Sequence, residues 1–165
     1  MLTQQELKKY LRYDQETGMF SWVKLPHHLV GKLNQIAGSL NDKGYWVIGL
    51  NRIKYKAHRL AWLYVYGAWP NEELDHINGL KDDNRICNLR EATHRENMQN
   101  LKNSLKNNVS GFLGVGFNKA FKNNKYVAQI GKNGKIKYLG SFKTPLEAHR
   151  AYLTAKRMEH EFCTI

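Results

Sequence analysis

An acid–histidine pair, Asp75-His76, and two asparagines, Asn88 and Asn97, could do chemistry together in this 165-residue chain. Histidine can act as a general base near neutral pH. A carboxylate and an amide carbonyl are hard oxygen ligands, which suit Mg²⁺ because this ion keeps several waters and takes further oxygens from a phosphate. Hydrolysis of a phosphodiester needs a base for the attacking water and a cation that offsets charge on the phosphate. The four residues therefore predict a one-metal phosphodiesterase centre.

The surrounding stretch predicts the elements that must position these side chains. Residues 73–77 and 88–92 predict two short strands, which a loop rich in Asn, Asp and Gly connects. Residues 93–96 (THRE) have the form of a capping box, which predicts a helix with Asn97 in its first turn. Folding the hairpin onto this helix would bring the acid–histidine pair to Asn97.

This stretch resembles the phage and intron-borne subgroup of the His-Asn-His (HNH) endonucleases, also called ββα-metal nucleases. The resemblance rests on the pattern DH…N…N, with eight residues between Asn88 and Asn97, and on the flanking segments HRLAWLYVYG and NLREAT. It implies that His76 is the general base and that Asn88 holds the two strands together. It also implies that Asp75 and Asn97 bind one Mg²⁺ or Mn²⁺ ion. The implied activity is cleavage of one or both strands of double-stranded DNA by a mobile or homing endonuclease.

Other interpretations of these residues stay open. The same parts could form a DNA-binding protein or regulator that has no catalytic activity. A structural zinc site could use His76, Cys87 and His94. We expect His58 to be hydrogen-bonded inside the fold and the adjacent pair His27-His28 to lie in a solvated loop.

The part of the chain before residue 73 predicts a scaffold of short elements that pack around a small core. In chain order these are a helix from residue 3 to residues 12–14, a strand at 19–23, a loop at 24–44, a hairpin at 45–57 with Asn51-Arg52 at its turn, and a buried helix at 57–66 that Gly67 ends.

Residues 111–160 predict a second module of three antiparallel strands followed by a helix. A capping box at residues 144–147, with Pro145 at the first helical position, marks the start of the helix. Alternation along the middle strand predicts that Tyr126, Ala128 and Ile130 face the helix. The opposite face is then expected to carry Lys125, Gln129, Lys135 and Lys137. A basic sheet face can enter the major groove of DNA.

This module resembles the plant APETALA/ethylene-response-factor DNA-binding domain, which is found appended to many such endonucleases. The matching segments are SGFLGV, KYVAQI, YLGSF and TPLEAHRAYLTAK. Lysine stands at several positions where the plant domain reads guanine with arginine, so we expect weak base readout and a steep salt dependence. The residues expected to contact DNA are Phe117, Lys119, Lys125, Gln129, Lys132, Lys135 and Lys137.

The charge of the chain favours nucleic acid as its partner. The net charge is +12, with 16 Lys and Arg against 11 Asp and Glu in residues 1–108 and 10 against 3 in residues 109–165. Such an excess attracts polyanions. Double-stranded DNA is therefore the expected partner, and we expect no obligate protein partner.

Patterning predicts an α+β protein with a small three-stranded antiparallel sheet packed on one helix in its last third, and the resemblance to the HNH endonucleases implies a ββα-metal nuclease core before it. We expect the nuclease domain at residues 1–108, with its core motif at 57–103, and the DNA-binding domain at residues 109–165. Cys87 and Cys163 lack the C-x-x-C spacing and are expected to be reduced thiols. No signal segment or membrane span is evident. The expected location is the cytoplasm of a bacterial or phage-infected cell.

Overall fold

The computed structural model describes residues 1–26, 32–101, 104, 107–132, 134–160 and 163–164. The chain divides into two compact units, Met1–His94 and Arg95–Ile165. Both are built from helices and small antiparallel sheets, which confirms the α+β class. The pair His27-His28 lies outside the described residues.

The first unit begins with a helix that is shorter than predicted. Helix α1 (Gln4–Tyr10) starts where predicted, because the Thr3 hydroxyl accepts a hydrogen bond from the Glu6 amide at 3.2 Å. It ends at Tyr10 because the next residues form strand β1 (Leu11–Tyr13), which pairs antiparallel with strand β2 (Phe20–Trp22). The prediction that the helix continues to residues 12–14 is therefore wrong.

A second small sheet of the first unit contains the predicted hairpin. Its strands are β3 (Ser39–Leu40), β4 (Trp46–Leu50) and β5 (Ile53–Lys56), in that order. Asn51 and Arg52 have φ values of 52° and 64°, the left-handed conformation that a tight hairpin turn requires at both positions. The hairpin is confirmed. Strand β3 corrects the prediction of an unbroken loop at residues 24–44.

Helix α2 (Ala57–Tyr66) forms the centre of the core of the first unit, as predicted. Gly67 ends it in the left-handed conformation, with φ 79°. Its buried residues pack with apolar side chains of α1, β1, β2 and β4. These helical residues are Ala57, His58, Leu60, Ala61 and Leu63.

The two strands predicted around the loop of the motif are present as an antiparallel pair. Strand β6 (Glu73–His76) pairs with strand β7 (Leu89–Ala92), so that Asp75 lies opposite Arg90 and His76 opposite Leu89. A short 3-10 turn (Ile86–Asn88) precedes β7. Helix α3 (His94–Gln99) follows, and the division between the two units falls inside it.

The second unit has the predicted sheet and helix. Strands β8 (Val115–Phe117), β9 (Tyr126–Lys132) and β10 (Lys135–Phe142) form one antiparallel sheet with β9 in the middle. Helix α4 (Pro145–Glu159) starts with a complete capping box between Thr144 and Glu147. Val115, Ala128 and Ile130 pack against Ala148 and Tyr152 of α4.

The register of this sheet corrects the predicted positions of two lysines. Lys137 pairs with Ile130, and Lys135 pairs with Lys132. Paired residues point to the same face of a sheet, so Lys135 and Lys137 share the face of Ile130, which is the face toward α4. Gln129 instead pairs with Tyr138.

The start of the segment after α3 is tied into the second unit where the structure describes it. Asn100 is buried, and the Thr164 hydroxyl donates to its side-chain carbonyl at 2.6 Å. The ammonium group of the buried Lys156 donates to the main-chain carbonyl of Leu101. These bonds hold the start of the segment in place.

No helix in the described part of the chain has the length and apolar character needed to cross a membrane.

Candidate functional site

The β6–β7 hairpin places the acid–histidine pair in a buried environment. Asp75 is 5% exposed and His76 is 6% exposed. Arg90, directly opposite Asp75, donates to Oδ2 of this carboxylate from Nε at 2.9 Å and from Nη2 at 2.8 Å. A buried carboxylate needs such charged hydrogen bonds. Strand register therefore supplies both the acid and the cation that holds it.

His76 lies in surroundings that favour a neutral imidazole. Burial lowers the pKa of His76, and the Asn84 side chain and the negative charge of Asp75 act in the opposite direction. The ring packs against the edge of the His58 ring, with centroids 4.9 Å apart and planes at 85°, and lies 6.2 Å from the Tyr45 ring. A neutral imidazole can accept a proton, as a general base must.

Asn88 joins the ends of the two strands. Its Nδ2 donates to Asn78 Oδ1 at 3.0 Å and to the main-chain carbonyl of Asp83 at 2.9 Å. Its Oδ1 accepts from the Asn78 amide at 3.0 Å, and its main-chain carbonyl accepts from the Ile77 amide at 2.9 Å. The side chain thus holds the residues that follow His76 and the loop that precedes β7.

Asn84 is a residue at the site that sequence reasoning missed. It is completely buried, and its Nδ2 donates to the Asp82 carbonyl at 2.9 Å. The Tyr13 hydroxyl donates to the main-chain carbonyl of Asn84 at 2.7 Å. Burial raises the pKa of Tyr13, which therefore keeps this proton. The only local signal at Asn84 is the segment DDNR, which is typical of a turn. This signal does not indicate the hydrogen bond from Tyr13.

Gly18 brings the β1–β2 hairpin onto the same loop. Its φ is +74°, and a Cβ there would lie 2.5 Å from the Arg85 amide nitrogen and 2.7 Å from the Asn84 carbonyl carbon. Only glycine permits this close approach. The N-terminal hairpin thus holds the loop whose Asn84 lies beside His76.

His58 is buried, but not in the way that the sequence analysis expects. Its Nδ1 has no hydrogen-bond partner within the residues that the structure describes. The expectation that hydrogen bonding holds this side chain is wrong for that atom. Burial lowers the pKa of His58 to about 3, and the neighbouring His76 and Lys56 act in the same direction. The residue contributes a neutral ring to the packing around His76.

The side chains proposed for a zinc site do not form a cluster in the structure. Cys87 is exposed, and the largely exposed His94 contacts Glu73 through Nδ1 at 3.1 Å. Over the described ranges, no group of three or more His, Cys, Asp or Glu side chains could hold a metal ion.

Asn97 lies on α3, beyond the division between the units, and its role as a ligand stays a prediction.

The residues predicted to contact DNA lie in the second unit and divide between the faces of its sheet. Phe117 pairs with Tyr126, and its ring lies 5.3 Å from the Tyr126 ring. Lys132 and Lys137 each donate to Glu159 at 2.8 Å, and these two bonds lower the pKa of Glu159 to about 2. Gln129 is exposed on the other face, and the three remaining residues, Lys119, Lys125 and Lys135, are exposed lysines.

The match to a known family lies on this site. Residues 55–99 match the family model described as HNH endonuclease. That segment contains Asp75, His76, Asn88 and Asn97, and the match supports a nuclease that acts on DNA. No curated protein and no solved structure matches the chain. The resemblance of the second module to the plant domain stays an expectation.

Proposed function

We propose that this protein is a metal-dependent DNA endonuclease or nickase of the mobile, homing type, with His76 as its general base. One observation carries the proposal. Inside the segment that matches the HNH family, a buried imidazole lies next to a buried carboxylate, and strand pairing fixes both. Removing two polar groups from water costs free energy, and a function at this site explains why the fold bears that cost.

In the proposed mechanism the imidazole of His76 takes a proton from the water that attacks the phosphate. Burial keeps the ring neutral and therefore ready to accept this proton. Asn88 and Asn84 hold the ends of the loop around the ring, so little rearrangement is needed when DNA binds. Arg90 fixes the orientation of Asp75.

We propose that Asp75 and Asn97 would hold a hard divalent cation. Asp75 offers a carboxylate that two bonds from Arg90 hold in one orientation, and we propose Asn97 as the second ligand, through its neutral carbonyl oxygen. Mg²⁺ needs few protein ligands, whereas the soft thiol of Cys87 suits it poorly. A bound Mg²⁺ or Mn²⁺ would offset the negative charge on the phosphate and on the leaving 3′-oxygen.

We further propose that the second module contacts double-stranded DNA through the sheet face that carries Gln129, and that the residues indicated by the resemblance on the α4 side reach DNA only from beside that face. Exposed Gln129 is suited to a base contact, and the exposed lysines are suited to phosphates. Lys132 and Lys137 would have to exchange Glu159 for phosphate, which lowers the net gain from each. Binding should therefore depend more on charge than on base sequence.

Cleavage of supercoiled plasmid tests the proposed function. We expect nicked or linear product with Mg²⁺ or Mn²⁺ and intact plasmid with a chelator. A gel resolves the three forms of the plasmid, and several plasmids of different sequence guard against the lack of a target site. If every plasmid stays intact with each divalent metal while the protein still binds DNA, the non-catalytic DNA-binding alternative replaces the enzyme.

A further inference from the structure

A basic and aromatic cluster, formed by Tyr45, Lys56 and Lys81, lies beside the candidate general base. The Lys56 Nζ lies 4.2 Å from the centroid of the Tyr45 ring, and the Lys81 Nζ lies 5.0 Å from the same centroid. That ring contacts His58 at 5.4 Å and His76 at 6.2 Å between centroids. Two ammonium groups are therefore held on one ring that reaches the proposed active centre.

Local structure holds Lys81 in this position. Its Nζ donates to the main-chain carbonyl of Lys43 at 3.2 Å. Gly44, with φ +80°, passes beneath its stem, since a Cβ at Gly44 would lie 4.0 Å from Lys81 Cδ. The side-chain carbonyl of Asn41 accepts from the amides of Lys43 and Tyr45, both at 3.0 Å, which fixes the turn that carries the ring.

The position of Lys56 follows from the fold in the same way. It is the last residue of β5, paired with Val47, and it directly precedes α2. Lys56 therefore lies at the point where the sheet ends and Ala57 begins the helix that carries His58. The two lysines come from different elements, 25 positions apart in the chain, and meet only because the fold brings them together.

The charges in this cluster favour an anion. Neither Lys56 nor Lys81 forms an ion pair within the described ranges. The Tyr45 ring attracts both cations. The charges of Glu73 and Asp75, after burial, raise the pKa of Tyr45, so these two acids lie near the cluster. A phosphate bound at the cluster would be attracted by both ammonium groups.

We propose that Lys56 and Lys81, held on the Tyr45 ring, bind a backbone phosphate of DNA adjacent to the phosphate that His76 attacks. The inference rests on the proposed function and names residues that would align the substrate. Successive phosphates on one strand rise by about 3.4 Å along the duplex. The 6.2 Å between the Tyr45 and His76 ring centroids is less than two such steps, so a phosphate held at the cluster would lie close to the phosphate at His76.

Charge removal at the two lysines tests the inference. The double variant Lys56→Met and Lys81→Met keeps most of each apolar stem. Its matched control is Lys8→Met with Lys24→Met, because these lysines lie 4.8 Å from the Tyr64 ring and 5.9 Å from the Tyr10 ring in the same unit. Both double variants lose two charges and two cation–π contacts. A third variant, Lys56→Arg with Lys81→Arg, restores the charge.

Binding to a duplex is measured in chelator, so that no cleavage occurs, as a function of salt concentration. For the Lys56/Lys81 variant we expect the slope of log affinity against log salt to fall by about 1, because both lysines bind one phosphate, and affinity near 0.1 M salt to fall about tenfold. The arginine variant should keep the slope of the wild type. If the Lys56/Lys81 variant behaves like the Lys8/Lys24 control, the inference is wrong.

The cleavage assay separates this inference from the proposed function. With Mg²⁺ the Lys56/Lys81 variant should lose kcat/KM by about the same factor as it loses affinity, while the Lys8/Lys24 control cleaves like the wild type. A wild type that never cleaves DNA overturns the proposed function, yet the binding slope still decides whether the two lysines contact phosphate.

Discussion

At the scale of single residues, burial prepares two histidines to stay neutral at physiological pH. The pKa of His76 is lowered by burial, and that of His58 falls to about 3 for the same reason. The difference between them lies in their neighbours. His76 has the Asn84 side chain and the Asp75 charge beside it, whereas His58 has cationic neighbours. His76 is therefore the better proton acceptor.

The lowered pKa of His58 makes folding stability depend on pH. The unfolded chain binds a proton at this residue below its ordinary pKa near 6.5, but the folded chain does so only near pH 3. The unfolded state then holds more protons between these values, so stability is fully present above pH 6.5 and falls as the pH is lowered toward 3. At 1.36 kcal/mol per unit, about 3 kcal/mol should be lost between pH 7 and pH 4.

Urea denaturation at pH 7 and at pH 4 measures this effect in the wild type and in His58→Phe. The variant keeps an aromatic ring but cannot be protonated, so its free energy of unfolding should change less between the two pH values. An equal change in both proteins would show that other groups cause the acid sensitivity.

At the scale of elements, the sequence predicts those features that depend on residues close together in the chain. Residues Asn51 and Arg52 occupy a tight turn, and Thr144 caps a helix, and both features depend on neighbours in sequence. The position of Asn84 depends on Tyr13, which is 71 residues away. Strand β1 was missed because Leu7 and Leu11 also fit the spacing of one helical face.

The face of Lys137 shows how a local pattern can fail across a turn. Alternation along β9 is regular, and it correctly indicates that Ala128 and Ile130 are buried. Lys132 pairs with Lys135, so from Lys135 to Tyr138 the odd-numbered residues of β10 share a face with even-numbered residues of β9, and a register shift after Tyr138 ends this pattern. The prediction assumes that odd-numbered residues of both strands share a face, and it therefore places Lys135 and Lys137 on the wrong face. Strand register, rather than strand identity, was the missing information.

The sheet of the second unit depends on the absence of a side chain at Gly114. A Cβ there would lie 2.0 Å from Tyr152 Cδ2, and the φ of Gly114 is +75°. Gly111 is a matched control, with φ +72° and nothing within 4 Å of its Cβ position. Gly111→Ala should cost about 1 kcal/mol, the price of the left-handed conformation. Gly114→Ala should cost about 1–3 kcal/mol more because it overpacks the core.

Thermal or urea unfolding of the two variants measures this difference. Since both substitutions carry the same backbone strain, the difference between them reports the contact with Tyr152. Equal destabilisation would mean that this contact does not limit the packing of α4 on the sheet.

At the scale of the whole molecule, the positive charge of the chain and the proposed site both indicate DNA as the partner. The net charge of +12 is spread over residues 1–108 and residues 109–165, and Lys132 and Lys137 both bind the acidic Glu159. The match of residues 55–99 to the HNH endonuclease family model and the charge together favour DNA as the substrate. The composition could indicate the class of partner, but it could not indicate which lysines are held ready for phosphate.

This charge predicts a steep salt dependence of DNA binding. If the protein neutralises six or more phosphates, its affinity should fall about a thousandfold between 50 and 200 mM salt. Fluorescence anisotropy with a labelled duplex in chelator measures the affinity across that range. A nearly flat dependence would contradict the assignment of DNA as an electrostatically bound partner.

The proposed catalysis depends most directly on His76. Its central test compares plasmid cleavage by the wild type, His76→Ala and His94→Ala, the last being an exposed histidine of the same motif. We expect His76→Ala to lose cleavage by about a hundredfold or more, in keeping with the loss of a general base. Its DNA affinity should stay within about twofold of the wild type, since the ring is buried and carries no charge. His94→Ala should cleave normally. Cleavage by His76→Ala at the rate of the wild type would contradict the role of His76 as the general base.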